Sequence, residues 1–240
     1  NERIRIHQQM VSDEKIIGAF NKLFAIKAES TLSYFEFITL AALVIFNNAS
    51  LDIILLEVVL GGRLDAVNII DPNVSVITSI ALDHQQWLGN NRQQIAQEKA
   101  GILRRGIPVV IGEPDCPHII YQMANNLHCP IYEKCRLADI NISKLAVHRQ
   151  NARMAITALS CLNPIVNLNQ KQIEKGLKNI ILPGRFQVIN KQPRVIIDVA
   201  HNPHATELLA RNLNQYYPNQ PVYAIFGVMA DKDIAGMITP

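Results

Sequence analysis

Residues 52–68 read DIILLEVVLGGRLDAVN, and the fold turns on how this stretch is taken. Five of the six residues at 53–58 are apolar, and Ile, Leu and Val dominate. That is the composition of a strand buried in a parallel sheet. Glu57 interrupts the run near its end. A carboxylate there is costly unless a cation meets it. Gly61 and Gly62 then allow a tight turn or a close approach of backbone to ligand. Arg63 and Asp65 give the turn charge of both signs. In open α/β sheets ligands lie beyond the carboxyl ends of the strands, so an acid followed by Gly-Gly-Arg-x-Asp marks a candidate site. A Glu paired to a nearby Arg, beside glycines that only turn the chain, is the plainer reading of the same residues.

Working outward, strands are expected at 74–80, 107–111, 130–132, 186–190, 194–199 and 222–227. Helices are expected at 12–28, 33–48, 92–103, 117–127, 151–162, 169–179 and from 203 to about Tyr216. This alternation argues for an α/β fold with a doubly wound, mostly parallel sheet. Ser33 and Glu36 have capping-box spacing ahead of a helix apolar on most faces, which predicts burial against a sheet. Tyr34 and Phe35 at its start read as core on this ground alone. Residues 133–150 are polar without clear periodicity and read as a connector. Leu182-Pro183-Gly184 breaks the chain, placing a boundary between a central domain at 1–182 and a second domain at 183–240.

Composition narrows the function. The chain has 240 residues, 49% hydrophobic and 18% charged, with a net charge of +3, which suits a globular core and excludes a disordered chain. Basic residues are scattered, so no nucleic-acid stripe is present. No apolar run is long enough to span a membrane, and no signal peptide is visible. The four cysteines (Cys116, Cys129, Cys135 and Cys161) lack paired spacing and read as free thiols of a reducing cytoplasm. A zinc site from Cys129, Cys135, His118 and His128 matches none of the usual ligand spacings. No G-x-x-x-x-G-K-[ST] phosphate loop occurs.

Polar residues gather at strand ends and domain edges: Glu57, Arg63, Asp65, His84, Lys99, Asn151, Arg185, Asp198 and His201. Acid, His and Lys together suit divalent-metal and phosphate chemistry. The segments LEVVLGGRLDAVN, ALDHQQWLG, QEKAGI, GEP, LPGRFQ, DVAHNP and DKDIAG stand in the same order as in the bacterial dihydrofolate synthase/folylpolyglutamate synthases. The chain resembles that family, a branch of the Mur-ligase-like ATP-dependent amide-bond ligases, over essentially its whole length.

The resemblance implies a P-loop-type ATPase domain followed by a Rossmann-like glutamate-ligase domain. It implies ATP and Mg²⁺, two metal sites, and dihydropteroate, reduced folates and L-glutamate as substrates of a cytoplasmic monomer. Glu57 and His84 would bind Mg²⁺, with Lys99 as a metal-binding carbamate. Lys99, His84, Asp198 and His201 would be the catalytic set. Asn151, Arg185 and Asp198 would contact the nucleotide. Ser33, Tyr34, Phe35 and Glu36, with Leu64, Asp65 and Ala66, would bind the pterin substrate, which turns the aromatic pair from core to pocket.

Val59 stands where the family has Gly, Val67 replaces Thr, and Gln85-Gln86 replace Thr-Asp. None of these removes an implied ligand. The resemblance also implies that this chain corresponds to the middle of such an enzyme. The Gly-rich ATP loop would lie upstream, most of the second domain would lie downstream, and this chain alone would be inactive. Another Mur-type ligase and a non-catalytic binding module are the competing readings.

Overall fold

The computed structural model describes residues 3–26, 31–133, 149–180, 182–230 and 232–239. The chain divides into two compact units, Asn1–Asp71 and Pro72–Pro240.

In the first unit, a short antiparallel pair, β1 (Arg5–Ile6) and β2 (Gln9–Met10), leads into helix α1 (Asp13–Ile26) and then helix α2 (Tyr34–Asn47). The predicted capping box forms: Ser33 Oγ accepts from the Glu36 N–H at 3.3 Å, and Glu36 accepts from the Ser33 N–H at 2.7 Å. Hydrogen bonding to the carboxyl from the Ser33 hydroxyl, and then from the Ser33 N–H, holds Glu36 below its usual range. Ile4, Val11, Ile16, Ala19, Leu23, Ala41 and Ile45 form the core. Phe37 packs between Phe20 and Phe24, with ring centres 5.1 and 5.0 Å away. The expectation that α2 packs on a sheet is corrected, because its partners are α1 and the 3₁₀ turn η1 (Ala66–Ile69).

The stretch 52–58 forms no strand. A ladder needs a neighbour to pair with, and among the described residues none runs alongside. Ile53, Ile54 and Leu55 are exposed, Leu55 to 90%, while Leu56 and Val58 are half-buried. The same correction applies to 222–227, which takes no ladder bonds and leaves Ile225 107% exposed. Apolar composition favours a strand without supplying its partner.

The second unit is built on a parallel sheet, β3 (Ser75–Ile77), β4 (Val109–Ile111) and β5 (Ile131–Tyr132), in that spatial order. Helix α3 (Gln85–Leu88) follows β3, and then α4 (Arg92–Ala100), capped by Asn91. Helix α5 (His118–Asn126) joins β4 to β5 and packs on α4. Ile77, Ile80, Ile95, Ala96, Val109, Ile111 and Ile120 are the centre of the core. Helix α6 (Arg149–Cys161) packs on β4 and β3, and its Gln150 Nε2 donates to the Gly112 carbonyl. Helix α7 (Gln170–Lys178) starts with a second capping box, from Asn169 and Gln172. An antiparallel hairpin, β6 (Gln187–Lys191) and β7 (Arg194–Ile197), precedes helix α8 (Pro203–Tyr216) and the short α9 (Ile234–Ile238). Asn202 caps α8 and Pro203 occupies its first turn, as the sequence predicts. The molecule is thus α/β. The connector at 133–150 lies largely outside the described residues.

Candidate functional site

Part of the polar set singled out in the sequence collects at two places, one in each unit, while Glu57, Asn151, Arg185 and Asp198 stand apart from both. In the first unit, a cavity of about 390 Å³ is lined by Glu36, Thr39, Leu40, Arg63, Leu64, Asp65 and Ala66 among others. Its size is that of a small-molecule site. Glu36 and the Leu64-Asp65-Ala66 segment therefore face one space, although some 30 residues separate them. Tyr34 and Phe35 do not line it, and Tyr34 is 78% exposed.

Asp65 builds the floor of this space. Its Oδ2 accepts from the Val59 and Leu60 N–H groups at 2.9 and 3.0 Å, and its Oδ1 accepts from Val67 N–H at 3.1 Å. The carboxylate thus closes the Gly-Gly turn and caps η1 at once. Gly61 adopts φ +67°, which a residue with a Cβ rarely takes. The Asn68 amide donates to the Arg63 carbonyl at 3.1 Å and ties the turn again. Arg63, singled out in the sequence by its charge beside the glycines, lines the space, whereas Thr39 and Asn68 line it without a signal in the sequence.

Glu57 is exposed in the same unit, and no hydrogen bond or ion pair engages its carboxylate among the described residues.

In the second unit, the loop after β3 carries Asp83 and His84. His84 is exposed and sits in the left-handed region at φ +50°, ahead of α3. Asp83 Oδ1 accepts from the His84 N–H at 2.8 Å. Asp83 Oδ2 accepts from Asn202 Nδ2 at 2.8 Å and faces His201 Nε2 at 3.7 Å. Lys232 Nζ lies 3.9 Å from Asp83 Oδ1. Burial works to raise the Asp83 pKa. The Asn202 bond, the His84 N–H and the nearby cations outweigh it and hold the carboxyl below its usual range.

Lys99 sits on α4, half-buried. Burial lowers its amine pKa, against an opposing pull from the Asp83 charge. Desolvation disfavours the ammonium form and leaves more free amine at a given pH. Asp83 thus faces His201 and its charge acts on Lys99, whereas in the sequence it stands only as the polar neighbour of His84.

A clamp holds this loop in place. Arg92 Nε donates to the Ile80 carbonyl at 2.9 Å, and its two terminal nitrogens bond Asp115 Oδ2 and the Asp115 carbonyl, both at 2.6 Å. Glu113 accepts from the Ile80 N–H at 2.8 Å and pairs with Arg92 at 3.5 Å. The GEP segment thus anchors the β3 loop rather than forming a separate feature.

Asp198 Oδ1 accepts from Ala200 N–H at 2.8 Å, and Oδ2 accepts from Phe186 N–H at 2.7 Å. Arg185 and Asn151 are exposed. Trp87 is exposed too and covers no site.

Among the described residues no three His, Cys, Asp or Glu side chains converge as a metal cluster. Cys129 is buried, and its thiol approaches the Arg104 carbonyl at 3.2 Å. Cys135 lies outside the described residues. In the first unit the unengaged Glu57 carboxylate is an oxygen donor of the kind a hard divalent ion takes, and in the second the exposed His84 ring offers a nitrogen donor. A carbamate on Lys99 would add oxygen donors. Among the described residues no helix is long and apolar enough to cross a membrane.

Comparison with known proteins bears on this arrangement. Residues 184–239 match the family model described as Mur ligase, glutamate ligase domain. The dihydrofolate synthase/folylpolyglutamate synthase of Escherichia coli strain K12 is 39% identical over 99% of this chain and 60% of its own length. The chain is homologous to these synthases. It spans about three fifths of the length of such relatives. Among solved structures, E. coli FolC in complex with DHPP and ADP superposes with a TM-score of 0.90, at 39% identity over 98% of this chain and 61% of that one. The Yersinia pestis bifunctional folylpolyglutamate synthase/dihydrofolate synthase, complexed with AMPPNP and a Mn ion, gives 0.82 at 42% identity, over 89% and 56%. This homology runs through the candidate site segments as well as the core.

Proposed function

We propose that the protein is an ATP-dependent carboxylate–amine ligase that joins L-glutamate to dihydropteroate and to reduced folates. One observation carries the reading. In the loop after a parallel strand Asp83 meets the His84 N–H, the His201-Asn202 turn and Lys232, and its charge acts on the half-buried Lys99. The homology supplies the substrate class.

A free carboxylate is a poor electrophile, so the reaction needs two steps. The pteroate or folate carboxylate attacks the γ-phosphorus of ATP and releases ADP, giving an acyl phosphate. The glutamate amine then attacks the acyl carbon, phosphate leaves, and the amine proton is lost. A divalent metal supplies charge neutralisation for phosphoryl transfer. Glu57 from the first unit and His84 from the second are proposed as Mg²⁺ ligands, with Lys99 as a carbamate, and two metal ions would serve the reaction as the resemblance implies. Asn151, Arg185 and Asp198 are proposed to contact the nucleotide. A carboxylate has about four acceptor sites, so Asp198 keeps capacity beyond its two backbone bonds. His201 joins the catalytic set from the same turn.

Ser33, Tyr34, Phe35, Glu36, Leu64, Asp65 and Ala66 are proposed to receive the pterin. The cavity supports this for Glu36 and 64–66. Tyr34 stands outside the lining and would reach the ligand only by turning inward. The functional division is proposed at 182/183, beside Gly184, where the glutamate-ligase match begins. A monomeric cytoplasmic enzyme completes the reading.

The test is ADP release with Mg²⁺, ATP, dihydropteroate and L-glutamate, using the longest natural form of the protein. Release that needs both substrates is expected. Silence with dihydropteroate and with reduced folates would refute the folate assignment and turn attention to other Mur-type substrates.

A further inference from the structure

We infer that Asp83 is a positioning residue that locks the loop after β3 to the start of α8 through Asn202. Its activity test rests on the ligase reading above, whereas its structural test rests on geometry alone.

Asp83 and Asn202 are 119 residues apart in sequence, yet they share a bond of 2.8 Å. Each partner uses its second polar atom on its own segment. Asp83 Oδ1 accepts from His84 N–H at 2.8 Å. Asn202 Oδ1 accepts from Ala205 N–H at 2.9 Å, which caps α8. One side chain therefore fixes the backbone of an exposed left-handed histidine, the other fixes a helix start, and the bond between them ties the two settings together. A non-glycine residue in the left-handed region is strained and persists only where its surroundings hold it. Asp83 supplies such a hold for His84. His201 is the residue before Asn202, and its ring, held by Nδ1 at 3.0 Å from the Val199 carbonyl, faces Asp83 from beside that bond. Neither Asp83 nor Asn202 needs to touch substrate for this.

The pairing has a direction that can be reversed. In the double variant D83N/N202D the amide at position 83 donates to the carboxylate at position 202. Its oxygen still accepts from His84 N–H, and the new carboxylate still caps α8. Each single variant breaks the match: D83N sets two amide donors against each other, and N202D sets two carboxylates together.

The experiment compares the parent, D83N, N202D and the double variant. Two readouts are used: ADP release, and hydrogen exchange of residues 81–88 and 202–206. Each single variant is expected to lower kcat at least tenfold, with the KM for ATP within threefold of the parent. Exchange in both segments is expected to quicken at least fivefold, and the double variant is expected to recover most of both losses. Singles that exchange and turn over like the parent would overturn the proposal, as would a double variant no better than the worse single. All four proteins are made in the longest natural form; if that parent releases no ADP, the folate assignment fails, and the exchange pattern alone decides whether Asp83 positions the loop.

Discussion

Asp198 Oδ2 accepts a hydrogen bond from the Phe186 N–H at 2.7 Å, joining the turn before β6 to the turn after β7. Phe186 is buried and sits at φ +44°, and the Val199 N–H donates back to the Gly184 carbonyl at 2.8 Å. The two turns are therefore stitched in both directions. Replacing Asp198 with Ala leaves the Phe186 and Ala200 N–H groups without their charged acceptor. Bonds to a charged group contribute about 1.5–3 kcal/mol each, so a loss of roughly 3 kcal/mol is expected. D198N keeps one acceptor oxygen and should lose less. Urea unfolding of the three proteins checks the order.

Asp65 plays the corresponding part in the first unit, with three backbone N–H groups on one carboxylate. D65A is expected to loosen the Gly61-Gly62 turn and the cavity beside it. Thermal unfolding should show a loss of roughly 2–4 kcal/mol, the scale of broken charged bonds. Binding of dihydropteroate, followed by calorimetry, should weaken at least tenfold in the same variant.

Lys99 should take up carbon dioxide. Burial lowers its amine pKa, so the nucleophilic free amine appears at a lower pH than for an exposed lysine. With ¹³C-bicarbonate, a carbamate signal is expected to grow as pH rises through that lowered pKa and to vanish on acidification. K99R should lack it. A spectrum identical for the parent and K99R would remove the carbamate from the reading.

Cys116 should be a slow nucleophile. Burial raises its thiol pKa to about 11, with the Glu113 charge adding to the effect. The unfolded thiol ionises near pH 8.5, so at pH 8 the folded protein should react with iodoacetamide on the order of 100-fold more slowly than the unfolded chain. The linkage has a definite sign. Because the folded pKa is the higher one, this stabilisation is full below about pH 8.5 and declines as pH rises toward about 11. C116S should flatten that decline.

Much of the architecture is legible in the sequence because its signals are local. Ser33 and Asn169 announce their helices through side-chain oxygens that reach only three residues ahead. Asn202 and Pro203 mark α8 in the same way. The stretches 52–58 and 222–227 show the opposite case. Their apolar composition is a strand signal, but a ladder depends on a second segment that composition cannot specify.

The candidate site divides along the same line. His84 and Lys99 stand out by residue type within local motifs. Asp83 gains its meaning from Asn202, and Arg92 gains its meaning from Asp115 and Ile80. Such relations are created by folding and leave no periodic trace in the chain.

Arg92 gives the loop after β3 a mechanical property. One planar guanidinium grips the Ile80 carbonyl on one side and Asp115 on the other, so the turns that follow β3 and β4 cannot shift independently. They behave as a single bracket pinned at three points. The turn at 113–116 is thereby tied to the backbone at Ile80, three residues before Asp83.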